Sequence, residues 1–175
     1  MPSIRHVTLS PADLRSVRRV AILAAIAGAV LGLETLVLHL TMDPLADARV
    51  YYDAGPRLNA GLPLYDESAT DSVGLYLYPP LLAILFRPLA LLPFPVAAAA
   101  WQAVVLGAFA VVLWRIGLRG WVLPALGWLA LPILWALSIG QAEPVVTLLL
   151  VIGSPVSIAL AGHVKLVPWL AAVPW

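Results

Sequence analysis

The sequence predicts an all-α, polytopic membrane protein: a helical bundle with a helical extracytoplasmic first loop and a re-entrant or interfacial proline-rich helix. Three observations carry this. Hydrophobic residues make up 62% of the chain and charged ones only 11%, with a mean hydropathy of +0.98, whereas soluble domains are about half apolar and about a quarter charged. A chain of 175 residues leaves too much of itself exposed to hide that surface from water, so its solvent is lipid. The charges are also clustered: Arg5, Arg15, Arg18 and Arg19 precede the first apolar run, and Asp43, Asp47, Asp53, Asp66, Glu67 and Asp71 crowd the next polar stretch.

Residues 1–19 read as a cytoplasmic amino-terminal segment, because arginines before a span hold that end inside. The first span, 20–41, is long enough to cross. Ala46-Asp47-Ala48 matches a signal-cleavage site, but the apolar run exceeds a signal core and further spans follow. The acidic loop, 42–78, therefore lies outside. Residues 79–92 are short, interrupted by Arg87-Pro88 and closed by Pro93-Phe94-Pro95. If they crossed, Arg115 and Arg119 would lie outside, against the positive-inside rule. A re-entrant or interfacial segment removes the conflict and lets 95–115 run inward. The span 121–139 then runs outward and delivers Gly140-Gln141-Ala142-Glu143 to the face of the acidic loop. The next, 144–163, turns in again, broken at Gly153-Ser154-Pro155, with Lys165 near the cytoplasmic side. An incomplete span, 166–175, ends the sequence, which is expected to be the amino-terminal part of a longer membrane module.

Within the first loop, Asp43-Pro44 reads as a helix start, aspartate capping free amides and proline in the first turn. The helix is expected to stop at Gly55-Pro56, with a second short helix ending at Gly61. Asp47, Val50, Tyr51 and Ala54 share one helical face. A carboxylate escorted by apolar groups has a raised pKa, which suits a general base. Asp43 reads first as a cap, and Asp53, Asp66, Glu67 and Asp71 as solvated charges. Tyr51, Tyr52, Tyr65, Tyr76 and Tyr78 could stack on a sugar, although interfacial tyrosine is the default. Glu34, inside the first span, needs a partner, water or a proton. Gln141 and Glu143 could cap a span or join the loop's chemistry. His163 and Lys165 could hold an anionic headgroup, and Lys165 could equally snorkel. Trp121, Trp128 and Trp135 form a stripe that reads as packing. Nucleotide-binding loops, zinc-type clusters and Ser-His-Asp spacings do not occur, cysteine is absent and the net charge is +1, so neither a thiolate metal site nor a nucleic-acid partner is expected.

The order of several short motifs resembles glycosyltransferase family 87. These are Asp47-Ala48-Arg49-Val50-Tyr51, Gly61-Leu62-Pro63-Leu64-Tyr65-Asp66, Tyr78-Pro79-Pro80-Leu81-Leu82, Pro88-Leu89-Ala90-Leu91-Leu92-Pro93, Gly140-Gln141 and Lys165-Leu166-Val167-Pro168. Family members resemble the polyprenol-phosphate-mannose-dependent mannosyltransferases of actinobacteria, C-type membrane enzymes with an extracytoplasmic site. The resemblance implies a bacterial plasma-membrane hexosyltransferase that, among membrane lipids, transfers a hexose, mannose first, from a polyprenyl-phosphate-linked sugar donor to a lipid or glycan acceptor, with inversion and without a cofactor or metal. It implies Asp47 as the catalytic base; Asp43, Arg49, Tyr51, Arg57, Tyr78, Arg87, Gln141, Glu143 and Lys165 are, from the residues themselves, candidate substrate-binding residues. Arg49, Arg57 or Arg87 would stabilise the lipid phosphate, and residues 79–92 would line the groove for the polyprenyl chain. The chain departs from the family pattern at Glu143, where asparagine usually follows Gly140-Gln141 two places on. Two other classes fit the same composition: a transporter or flippase using Glu34 and Lys165, and a noncatalytic relative.

Overall fold

The computed structural model describes residues 10–65, 75–117 and 122–165. Asp66, Glu67, Asp71, Arg119, Trp121 and the expected span 166–175 lie outside the described residues. Those residues form seven α-helices and no strand: α1 (Pro11–Met42), α2 (Ala46–Asn59), α3 (Pro80–Phe86), α4 (Phe94–Ile116), α5 (Val122–Ile139), α6 (Glu143–Ile152) and α7 (Pro155–Val164), with a 3₁₀ turn at Leu89–Leu91. Two helices, α1 and α4, are long and apolar enough to cross a membrane.

Helix α1 starts where Ser10 and Asp13 exchange hydrogen bonds in a capping box, with Pro11 in the first turn. Its 32 residues span roughly 48 Å at about 1.5 Å per residue, against about 30 Å of bilayer hydrocarbon. Arg15, Arg18 and Arg19 therefore ride in the excess length at its start. Helix α5 lies parallel to α1, because small residues let the backbones touch. A Cβ on Gly32 would come within 2.7 Å of the Ala130 carbonyl carbon, and one on Gly127 within 2.8 Å of Ala25. Helix α4 runs the other way. Near its start the Trp101 indole N–H donates to the Gly140 carbonyl at 2.8 Å, and Gln102 donates to the Leu137 carbonyl.

Both α1 and α5 climb to one end of the bundle, where α2 lies, and α4 departs from it. Residues 79–92 stay at that end. Tyr78 reaches Asp47 at one side of the segment, and the Tyr52 hydroxyl donates to the Leu92 carbonyl at 2.7 Å on the other. Leu82, Ala83 and Phe86 of α3 are buried in a core shared with Ala48, Tyr51 and Ala54 of α2 and with Trp101.

The structure corrects four expectations. Helix α2 is continuous through Gly55-Pro56 to Asn59, since Gly55 lets the Phe86 carbonyl and Ala90 lie against it; the stop comes at Gly61, where the Leu62 N–H bonds the Arg57 carbonyl at 2.9 Å. Asp43 caps the end of α1 rather than the start of α2, and its carboxylate takes the His39 ring at 2.7 Å. Residues 144–163 are not one span: α6 and α7 have ten residues each and fold back on one another at Gly153-Ser154. This returns Lys165 to the α2 end, within 2.9 Å of Gln141 Oε1, instead of carrying it to the opposite side. Finally, the tryptophan stripe packs only in part: Trp128 is 64% exposed and faces outward, whereas Trp135 stacks on the His39 ring at 6.5 Å between centroids.

Candidate functional site

The site is assembled where α2, the Tyr76–Pro79 strand of loop, the Gly140–Glu143 turn and the end of α7 meet. Asp47 sits in the first turn of α2, where the positive end of the helix dipole favours a carboxylate. The residue before that helix, Leu45, has φ +58° and ψ +32°, a left-handed conformation costing a side-chain-bearing residue about 1–2 kcal/mol. Its N–H is held by the Ser138 carbonyl at 2.9 Å. Backbone held against its preference marks functional positions, and here it sets the angle at which Asp47 is presented. Gly140 completes the frame: its φ is +73°, and a Cβ there would collide with that of Ala48.

The Tyr78 hydroxyl donates to Asp47 Oδ2 at 2.9 Å, and the Tyr51 hydroxyl lies 3.5 Å from the same oxygen. Tyr51 is fully buried, edge-on to Tyr78 at 4.9 Å, Phe86 at 5.6 Å and Trp101 at 6.0 Å between ring centroids. Burial pushes the Asp47 carboxyl above its usual range; the Tyr78 hydrogen bond and the Lys165 charge pull it back, and the Glu143 charge adds to the rise. Burial likewise pushes the Tyr78 phenol up to about 12, with the neighbouring Asp47 charge adding to it. Tyr78 therefore stays a neutral hydrogen-bond donor through the physiological range.

Across the cleft, the Lys165 ammonium donates to Gln141 Oε1 at 2.9 Å, pairs with Glu143 Oε1 and sits 5.4 Å from the Tyr78 ring centroid. The Lys165 side chain is about a fifth exposed and that of Glu143 about half. An incoming anion can therefore compete for the cation. Asp47, Tyr51, Tyr78, Gln141, Glu143 and Lys165 are thus brought together.

The other expected residues are not. Arg49 projects from another face of α2, bonded to Asp53 at 3.2 Å and 4.5 Å from the Phe94 ring centroid. Arg57 donates to the Pro63 carbonyl at 3.1 Å, and Arg87 to Asn59 Oδ1 at 2.8 Å. Asn59 lies roughly 18 Å along α2 from Asp47 at about 1.5 Å per residue, too far for one phosphate to bridge both. Asp43 is exposed and engaged with His39.

Trp101 was not singled out as a site residue from the sequence, and Tyr76 only as one of several tyrosines that could stack on a sugar. Trp101 holds the Gly140 carbonyl. Tyr76, buried rather than belted in lipid, donates to the Pro79 carbonyl at 2.7 Å and accepts from the Ala83 N–H at 2.9 Å. The one available signal was Trp101 lying a whole turn inside an apolar run, where an indole N–H needs a partner.

The model of glycosyltransferase family 87 matches residues 76–175, more than half of the chain. The chain belongs to glycosyltransferase family 87. No curated protein and no solved structure matches it. Family 87 membership implies glycosyl transfer in general, with a sugar donor and an acceptor as substrates. The family 87 match includes Tyr78, Gln141, Glu143 and Lys165 and begins after Asp47. The carboxylate joins this matched part of the site through space, by the hydrogen bond from Tyr78.

Proposed function

We propose that this family 87 member transfers a hexose, mannose in the first instance, from a polyprenyl-phosphate sugar to a lipid or glycan hydroxyl at the outer face of a bacterial plasma membrane. The observation that carries the reading is one half-buried carboxylate of raised proton affinity and one ammonium facing the same cleft at one end of an apolar bundle. Arg15, Arg18 and Arg19 lie at the other end, as does Arg115 in the last turn of α4. The positive-inside rule makes that end cytoplasmic and the cleft extracytoplasmic.

In this reading Asp47 takes the proton of the acceptor hydroxyl as its oxygen attacks the anomeric carbon. The bond from that carbon to the phosphate oxygen breaks, and the lipid phosphate leaves with the electron pair. A single displacement inverts the anomeric configuration. The departing phosphate is already a stable anion and needs no acid. It needs charge balance, which Lys165 supplies by exchanging Glu143 for phosphate oxygens. Tyr78 orients the carboxylate. The transporter reading gains less support, since Glu34 is exposed on α1 while Lys165 has Gln141, Glu143 and the Tyr78 ring as its neighbours.

Membranes carrying the chain, supplied with radiolabelled polyprenyl-phosphate-mannose, are expected to yield labelled glycolipid or glycan, and membranes without the chain are not. Equal yield from both would remove the reading. A pH profile tests the base. Its active form is ionised, so kcat/KM should fall as pH drops through a value above the usual carboxylate range. Tyr78→Phe removes a hydrogen bond that favours the ionised form. The acid limb should therefore move to higher pH; an unmoved limb would show that the titrating group is not Asp47.

A further inference from the structure

A second feature adjoins the cleft. Between α4, α5 and α6 lies a cavity of about 240 Å³, against the ~30 Å³ share of one water in the liquid, so it admits a stretch of hydrocarbon rather than a single methyl group. Its walls are apolar, with Val112, Leu113 and Ile116 on one side and Ile133 and Ala136 on the other; Glu143 stands at one end. Ile116, the last residue of α4, is 53% exposed, so the cavity is not sealed at that end. Its origin lies in the packing. Glycine contacts draw α5 onto α1, and on the opposite face Pro132 and Ala136 present little bulk toward α4.

Glu143 belongs to both features. Its Oε1 pairs with Lys165, while its Oε2 is buried and has no hydrogen-bond partner. The cation of the cleft and the apolar cavity are therefore contiguous through one side chain. A ligand filling both needs one anionic group at the end of a hydrocarbon chain. On the basis of the function proposed above, the geometry points to this cavity as the seat of the first isoprenoid units of the donor lipid, with its phosphate at Lys165. The wall residues Ala136 and Ile116 mark a path from the Glu143 mouth down between α4 and α5, seven residues long on α4 from Phe109, or roughly 10 Å at about 1.5 Å per residue. None of residues 79–92 lines this cavity.

The test is photo-crosslinking of the purified chain in nanodiscs with a polyprenyl phosphate bearing a diazirine in its first isoprenoid units, followed by mapping of labelled peptides. Label is expected on residues 112–116 and 133–136, displaced by unlabelled polyprenyl phosphate and not by phosphatidylglycerol. Ile133→Trp, which fills the cavity, should lower that labelling by about tenfold. The wild-type map stands by itself should the variant fail to fold. Label concentrated on residues 79–92 or on α1, or labelling insensitive to a folded Ile133→Trp, would overturn the assignment. So would equal displacement by phosphatidylglycerol, which would make the occupant an ordinary bilayer lipid. Sugar transfer measured in the same nanodiscs separates the two readings: transfer with label elsewhere ends only the cavity assignment, whereas absence of both transfer and specific label ends the donor reading too.

Discussion

Asp47→Asn is expected to abolish most sugar transfer, lowering kcat by about 10²–10⁴-fold, the usual contribution of a positioned general base. The amide keeps the size of the carboxylate and can still accept from Tyr78, so the fold around α2 should survive. What disappears is the proton acceptor. Donor binding should change little, because Lys165 and its partners are untouched. The informative measurement is thus a split: kcat falls, while KM for polyprenyl-phosphate-mannose stays within a few-fold. Near-normal turnover would remove Asp47 from the base role. A parallel loss of both parameters, with altered elution of the purified protein, would instead show that the carboxylate serves the structure.

Lys165→Met carries the second large effect. Methionine keeps much of the apolar stem and removes the ammonium. With no charge to meet the lipid phosphate, kcat/KM for the donor should fall by about 10²–10³-fold, the scale set by removing one preorganised oxyanion donor. The Asp47 acid limb should also move to higher pH, since the Lys165 charge is one of the influences holding that carboxyl down. A stranded Glu143 could mimic the first effect. The double variant Lys165→Met with Glu143→Gln removes that carboxylate charge, so activity restored by the second change would assign the loss to Glu143 and not to the phosphate. Donor kcat/KM within a few-fold of wild type would place the phosphate elsewhere.

Much of the acid half of this site is legible in the sequence, because a 3.6-residue period is a local property. Asp47, Tyr51 and Ala54 share a face by spacing alone, and the structure buries Tyr51 and Ala54 on it. The turn at Gly61 was visible too, but the continuity of α2 through Gly55-Pro56 was not. The cation half was not. Gly153-Ser154-Pro155 announces a break, but a break in an apolar run is compatible with a kink or with a reversal, and only tertiary packing decides. The reversal carries Lys165 back to Gln141, 24 residues earlier in sequence. The arginines misled for a related reason. Arg49 is two residues from Asp47, and two residues on a helix point to different faces. The tyrosines looked like membrane-belt residues because composition cannot distinguish a phenol at the lipid boundary from one hydrogen-bonded to a carboxylate. Close packing of α1 on α5 was latent in Gly28, Gly32 and Gly127, but single glycines in separate apolar runs do not name each other.

The bond between Leu45 and Ser138 bears on how the enzyme would behave in different lipids. Long apolar helices answer a thicker or thinner bilayer by tilting. Here α2 is pinned to the last turn of α5, and α5 is locked along α1, so a tilt of that pair would swing Asp47 and the Gly140-Gln141 turn as one piece. The register of Asp47 against the Gly140-Gln141 turn would then be insulated from the host membrane's depth.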